Sequence, residues 1–294
     1  MRALKLSLLA LAVTAVVLAL AGGASGEIAA WQRDFQNDLA GALRALQGGD
    51  RGASAAILGL CFAYGVVHAI GPGHGKVLIG GYGVGRSVAI GPLSLIALAA
   101  SLGQALTALA LVGAGFGLLS LTRVQMTGLA DGALALVSFS AIGLIGLWLA
   151  FRGLRGLWAL RGAEAAQAHG HDHGGHCGHA HMPSAEEIAR ATRPRDVAAL
   201  IGSIAIRPCT GALFLLVIAW YIDLVWIGVL GTFAMALGTA AVTVAVAAIS
   251  VTSRRAALAS LVSDGRLTVL APLLELLAGS AVMVIAAQLL LPLI

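Results

Sequence analysis

The sequence predicts an all-α integral membrane protein: six core transmembrane helices in two inverted three-helix halves, after an N-terminal signal or anchor helix. Three observations predict it. Of 294 residues, 59% are hydrophobic and 11% charged, and the mean hydropathy of +0.95 excludes a soluble domain. Apolar windows long enough to cross a bilayer recur along the chain. Two helix breakers of the form Pro-x-x-Gly, at Pro72–Gly75 and Pro208–Gly211, each fall in the first span of a three-span group, the pattern of paired interrupted helices in inverted halves.

The first segment, 1–26, has Arg2 and Lys5 before an apolar core and ends in small residues. It reads as a signal peptide or as a first membrane anchor. Segment 27–52 is polar, with Trp31, Phe35, Leu39, Leu43 and Leu46 at helical spacing. That pattern predicts an external amphipathic helix lying on the membrane or packed on the bundle. Residues 53–294 form one six-helix domain, with spans near 54–80, 88–118, 128–151, 197–222, 224–250 and 268–292. The 39 glycines suit close helix–helix approach in lipid,.

Orientation follows from the arginines. Arg86, then Arg152, Arg155, Arg161, Arg190, Arg193 and Arg195, then Arg254, Arg255 and Arg266 fall in alternate loops, which makes those loops cytoplasmic,. The same effect accounts for an isoelectric point near 9.6 without nucleic acid as a partner. The partner is the lipid bilayer. Cys61, Cys177 and Cys209 are scattered and form no disulfide framework,.

Within the first span stands His68-Ala-Ile-Gly-Pro-Gly-His-Gly-Lys76. Ionisable side chains at membrane depth are expensive and mark function by default. His68 and His74 would diverge by about 240° on a straight helix. Pro72, flanked by Gly71 and Gly73, breaks that helix, so both imidazoles can turn to one point beside freed carbonyls. Imidazole suits nickel, cobalt, zinc and copper. The competing reading is a plain kink with packed histidines.

The fourth span carries the second breaker, Ala205-Ile-Arg-Pro-Cys-Thr-Gly-Ala-Leu213. Cys209 offers a soft sulfur ligand, against the alternative of a small buried hydrophobe. Arg207 at that depth needs a partner. Gln104, Asp131, Thr239 and Thr243 are other polar residues in spans, and Glu275 is the candidate proton-carrying carboxylate,. It is also a candidate partner for Arg207.

The loop 162–196 is the one sizeable cytoplasmic insertion, and it holds His169, His171, His173, His176, His179 and His181 among glycines, with Asp172 and Cys177. Such a tract reads as metal-binding. A pH-sensing loop or a featureless low-complexity insertion are the alternatives.

The nine-residue motif at His68–Lys76, the histidine-rich loop between the halves and the segment at Arg207–Ala212 resemble the NicO/RcnA-type nickel–cobalt transporters. The resemblance covers 53–294. It implies a polytopic inner-membrane protein that moves Ni²⁺ and Co²⁺ as substrates, outward in its RcnA branch, with no resident cofactor. His68, His74 and Lys76 match the family motif, whereas the loop histidines match in composition and location. A looser similarity is to nickel/cobalt uptake permeases with the signature His-Ala-x-Asp-Ala-Asp-His. Here Gly71 and Gly73 replace the two aspartates, which weakens cation capture and favours export over import.

The expected function is therefore secondary export of nickel and cobalt. Metal passes from the loop to His68 and His74 and leaves past Pro208–Cys209, in exchange for protons. No G-x-x-x-x-G-K-[ST] run is present, so nucleotide is not a partner. Uptake is the alternative in the same class, and a membrane metal sensor or assembly factor the alternative in another. An intramembrane hydrolase ranks last, because H-E-x-x-H and G-x-S-x-G runs are missing. The chain is read as no enzyme. Oligomeric state is left open.

Overall fold

The computed structural model describes residues 30–50, 52–71, 74–167, 193–259 and 267–294, all helical or connecting, with no strand among them. Helix α1 covers 30–47. It is followed by α2 (Ala53–Ile70), α3 (His74–Gly85), α4 (Ile90–Gly117), α5 (Arg123–Asp131) and α6 (Ala133–Gln167). The second part of the chain forms α7 (Pro194–Ala205), α8 (Thr210–Tyr221), α9 (Val225–Ala259) and α10 (Leu267–Leu290), closed by a short 3₁₀ turn at Leu291–Leu293. Among the described residues, five helical stretches are long and apolar enough to cross a membrane, or six if α7 and α8, bent by 58°, are counted as one span. The segments 1–29 and 168–192, which include the predicted leader and the histidine-rich tract, lie outside the described residues.

The core is divided into two apolar clusters. One gathers Ile57, Cys61 and Tyr64 of α2 with Ala212, Leu213, Leu215, Leu216 and Val217 of α8, together with Leu39 and Leu43 of α1. The other gathers Leu78, Ile79 and Tyr82 of α3 with Leu200 and Ile204 of α7, and the facing residues of α6 and α10. Each interrupted span thus contributes one half to each cluster. The order is opposite in the two spans: first half with second half. The breaks lie where the clusters meet. The 12-residue helices α3 and α8 each extend about 18 Å away from the breaks.

Helix α2 packs on α9, α7 packs on α4, and α6 runs along α10. Small residues permit the last of these. A Cβ on Gly279 would stand 2.3 Å from the Ala150 nitrogen and 2.7 Å from the Gly146 carbonyl oxygen. One on Gly153 would stand 2.4 Å from the Leu276 nitrogen. Backbones in such proximity gain dispersion contacts, which drive association where lipid offers no hydrophobic gradient. On the α2–α9 seam, a Cβ on Gly65 would meet the Met235 carbonyl at 2.1 Å.

The amphipathic segment forms α1, and its register is that of a hairpin with α2. Leu39 and Leu43 are buried in the cluster of α2, while Trp31 is 55% exposed. Helix α5 begins with a capping box between Thr122 and Gln125. It turns at Gly132 into α6, whose 35 residues exceed the bilayer core.

Gly279→Ala is expected to lower the thermal midpoint of the detergent-solubilised protein by roughly 3–10 °C, the scale of an overpacked interface. Gly113→Ala, where a Cβ meets nothing within 4 Å, leaves it unchanged or slightly raised. A thermal-shift series on the two variants checks this.

Candidate metal site at two helix breaks

A helix that stops inside lipid leaves carbonyls without partners, and each must be satisfied by protein. The end of α7 meets this requirement in full. The Ser203 carbonyl accepts from Ser138 Oγ at 2.6 Å, Ile204 from Gln104 Nε2 at 3.2 Å, and Ala205 from Thr107 Oγ1 at 2.8 Å. On the other interrupted span, Lys76 Nζ donates to the Gly71 carbonyl and so reaches back across the break. Thr239 of α9 donates to the Gly65 carbonyl of α2 at 3.2 Å.

The breaks bring His68 and Cys209 together. His68 lies in the last turn of α2 and Cys209 is the N-cap residue of α8. Their side chains are close enough to interact, and the amides of Gly211 and Ala212 lie beside the sulfur. Tyr64 stacks on His68 with ring centroids 5.9 Å apart and planes within 10°. Its hydroxyl is engaged by Gln36 at 3.3 Å and by Thr210. Gly211 is where the Tyr64 ring meets the backbone, since a Cβ there would be 2.2 Å from it.

Lys76 and Arg207 are the cations that His68 feels. Arg207 pairs with Asp131 at the end of α5, at 3.0 Å. The predicted alternative of a pair with Glu275 does not form. Glu275 of α10 instead lies 2.9 Å from Arg152 and 3.7 Å from Arg86. Arg254 donates beside it to the carbonyls of Val84 at 2.7 Å and Gly85 at 3.2 Å, capping the end of α3. This ion cluster belongs with the α3–α6–α10 end of the bundle, together with a cavity of about 260 Å³ lined by Tyr82, Trp148 and Asp196.

His74 is the first residue of α3, and its side chain lies outside the described part, as do Pro72, Gly73 and the loop histidines 169–181. Among the described residues, no group of three or more His, Cys, Asp and Glu forms a ready-made cage. The geometry provides one nitrogen and one sulfur donor, a set suited to borderline divalent metals.

Sequence reasoning missed Gln32, Gln36, Tyr64, Thr107 and Ser138, which act across 28 to 98 residues of chain. One signal was available. The shared pattern is longer than Pro-x-x-Gly: Ala69-Ile-Gly-Pro72 leading to Gly75 matches Ala205-Ile-Arg-Pro208 leading to Gly211. The next long helix after each break, α4 or α9, then carries Leu102-Gly-Gln-Ala105 or Leu237-Gly-Thr-Ala240. Of those two motifs, Gln104 donates to the Ile204 carbonyl of α7 and Thr239 to the Gly65 carbonyl of α2.

A family model described as "NicO: High-affinity nickel-transport protein" matches residues 54–202. A Haemophilus influenzae protein named "Putative nickel/cobalt efflux system" is 29% identical over 228 residues, 72% of this chain and 70% of the relative. No solved structure matches.

Gly211→Ala forces the Tyr64 ring away from α8 and uncovers the sulfur of Cys209. In a background lacking Cys61 and Cys177, maleimide labelling of Cys209 is expected to accelerate several-fold. An unchanged rate would show that Tyr64 does not cover the thiol.

Proposed function

The chain belongs to the NicO family of nickel-transport proteins, a multi-pass membrane protein for nickel and cobalt, and from that premise we propose that it exports Ni²⁺ and Co²⁺ through the junction of its two helix breaks. The observation that carries this reading is the pairing of His68 with Cys209, one from each interrupted span. A site made of one ligand from each half can be opened to either side by rocking the halves. His74, across the first break, is assigned as a further ligand.

The opposite order of the halves in the two apolar clusters supports inverted three-helix repeats, as does the repeated Ala-Ile-x-Pro-x-x-Gly pattern. In such carriers the site lies at the repeat interface near mid-membrane, built from discontinuous helices. The cations Lys76 and Arg207 near His68 keep the hold on a divalent ion modest. A carrier needs that, because cargo bound too tightly does not leave.

The end bearing Arg86, Arg152 and Arg254 is assigned to the cytoplasm of an inner-membrane protein by the positive-inside effect. The histidine-rich loop 162–196, on the same side, collects metal there. Glu275 ties α10 to Arg86 and Arg152. Protonating it releases both pairs and loosens α10 from its neighbours, which provides a route for proton exchange to drive the cycle.

Accumulation of radioactive nickel in metal-sensitive cells tests the reading. Cells with the wild-type chain are expected to hold less nickel than vector controls, and His68→Ala or Cys209→Ala to abolish the difference. Greater accumulation with the wild type would reverse the direction. Equal accumulation in all strains would remove nickel transport.

A further inference from the structure

We infer that α1 is a working part of the metal site, with Gln32 as the residue that positions the His68 ring. This deepens the proposal above and rests on His68 holding the cargo. Gln32 Nε2 lies 3.3 Å from His68 Nδ1, and Gln36 Nε2, one turn further on, donates to the Tyr64 hydroxyl at 3.3 Å. The two pairs share the antiparallel register of the α1–α2 hairpin, and Leu39 and Leu43 hold that register from within the core. Both ring residues of the site thus have an α1 amide on them.

A metal-ligating histidine generally presents its second ring nitrogen to a carboxylate, a carbonyl or water. That partner sets the ring angle and the strength of the ligand. Gln32 occupies the partner's place at Nδ1, which leaves Nε2 to meet the ion. Its amide serves both tautomers: the nitrogen donates to a bare Nδ1, and the oxygen accepts from Nδ1–H. A neutral amide orients the ring without adding negative charge to the site, as suits a ligand that must release its ion.

The outer face of α1 carries the same message. Arg33, Asp34, Asn37 and Asp38 are exposed beside Gln32 and Gln36. Charged side chains at the level of the breaks need water, so the α1 flank is the wetted approach to His68. On the orientation proposed above, that flank faces outward, and α1 closes the exit side of the site.

The test is nickel flux into proteoliposomes holding the full chain, with KM and kcat measured separately. Gln32→Glu puts a carboxylate on the ring and is expected to lower KM about tenfold and to slow kcat, the scale on which such partners tune metal sites. Gln32→Ala is expected to raise KM about tenfold with kcat within about twofold of wild type. Arg44→Ala, exposed at the far end of the same helix, should change neither. Opposite shifts in KM from the two Gln32 variants support the inference, because loss of a mere brace moves both the same way. Parallel losses with a lowered thermal midpoint would overturn it, reducing α1 to scaffold. So would unchanged kinetics in both variants while His68→Ala abolishes saturable flux. If His68→Ala itself behaves as wild type, the site assignment fails first and this inference with it.

Discussion

Everything in this fold depends on satisfying the backbone of two helices that stop within the apolar bundle. Apolar surroundings neither accept nor donate, so each freed group buried among them needs a protein partner or costs several kcal/mol. The chain meets the demand with side chains from neighbouring helices. Ser138, Gln104 and Thr107 take the last three carbonyls of α7, and Lys76 takes that of Gly71. These bonds tie α4 and α6 to the interrupted spans, so the break is held open by the bundle around it. Once the backbone is secured, His68 and Cys209 are free to face each other with their ligand atoms uncommitted to the helix ladder.

Close packing is the second consequence. Side chains as short as Ser138 and Thr107 reach a neighbouring backbone only if the helices approach closely, and small residues provide that approach. Gly103 of α4 lies against Ala205, and Gly238 of α9 against the Phe62 carbonyl. The same economy runs through the α6–α10 seam, where Gly146 and Gly279 meet each other. These glycines therefore support the helix ends at the breaks.

Much of this was legible in the sequence. The predicted span 54–80 divides at its break into α2, which is long and apolar enough to cross a membrane by itself, and α3, and the predicted span 197–222 divides at its break into α7 and α8. Both were readable because Pro and Gly within an apolar run have few other meanings in lipid. Span ends were less so: α6 and α9 continue beyond the predicted 151 and 250, since helices outside the bilayer are no longer bounded by hydropathy. The partners of the charged residues were illegible. Arg207 chose Asp131 and Glu275 chose Arg86 and Arg152, which depends on which helix faces which. Gln32 was invisible for the same reason, as its contact with His68 exists only in the register of the α1–α2 hairpin.

The central claim is that the two breaks converge on a single metal site, and cobalt spectroscopy addresses it most directly. Purified full-length protein carrying Cys177→Ser is titrated with Co²⁺, and the near-ultraviolet band of thiolate-to-cobalt charge transfer is followed. The account predicts a saturable band that disappears with Cys209→Ser and is lost or strongly weakened with His68→Ala. A chain that binds cobalt without that band, or keeps it unchanged in both variants, would contradict the account.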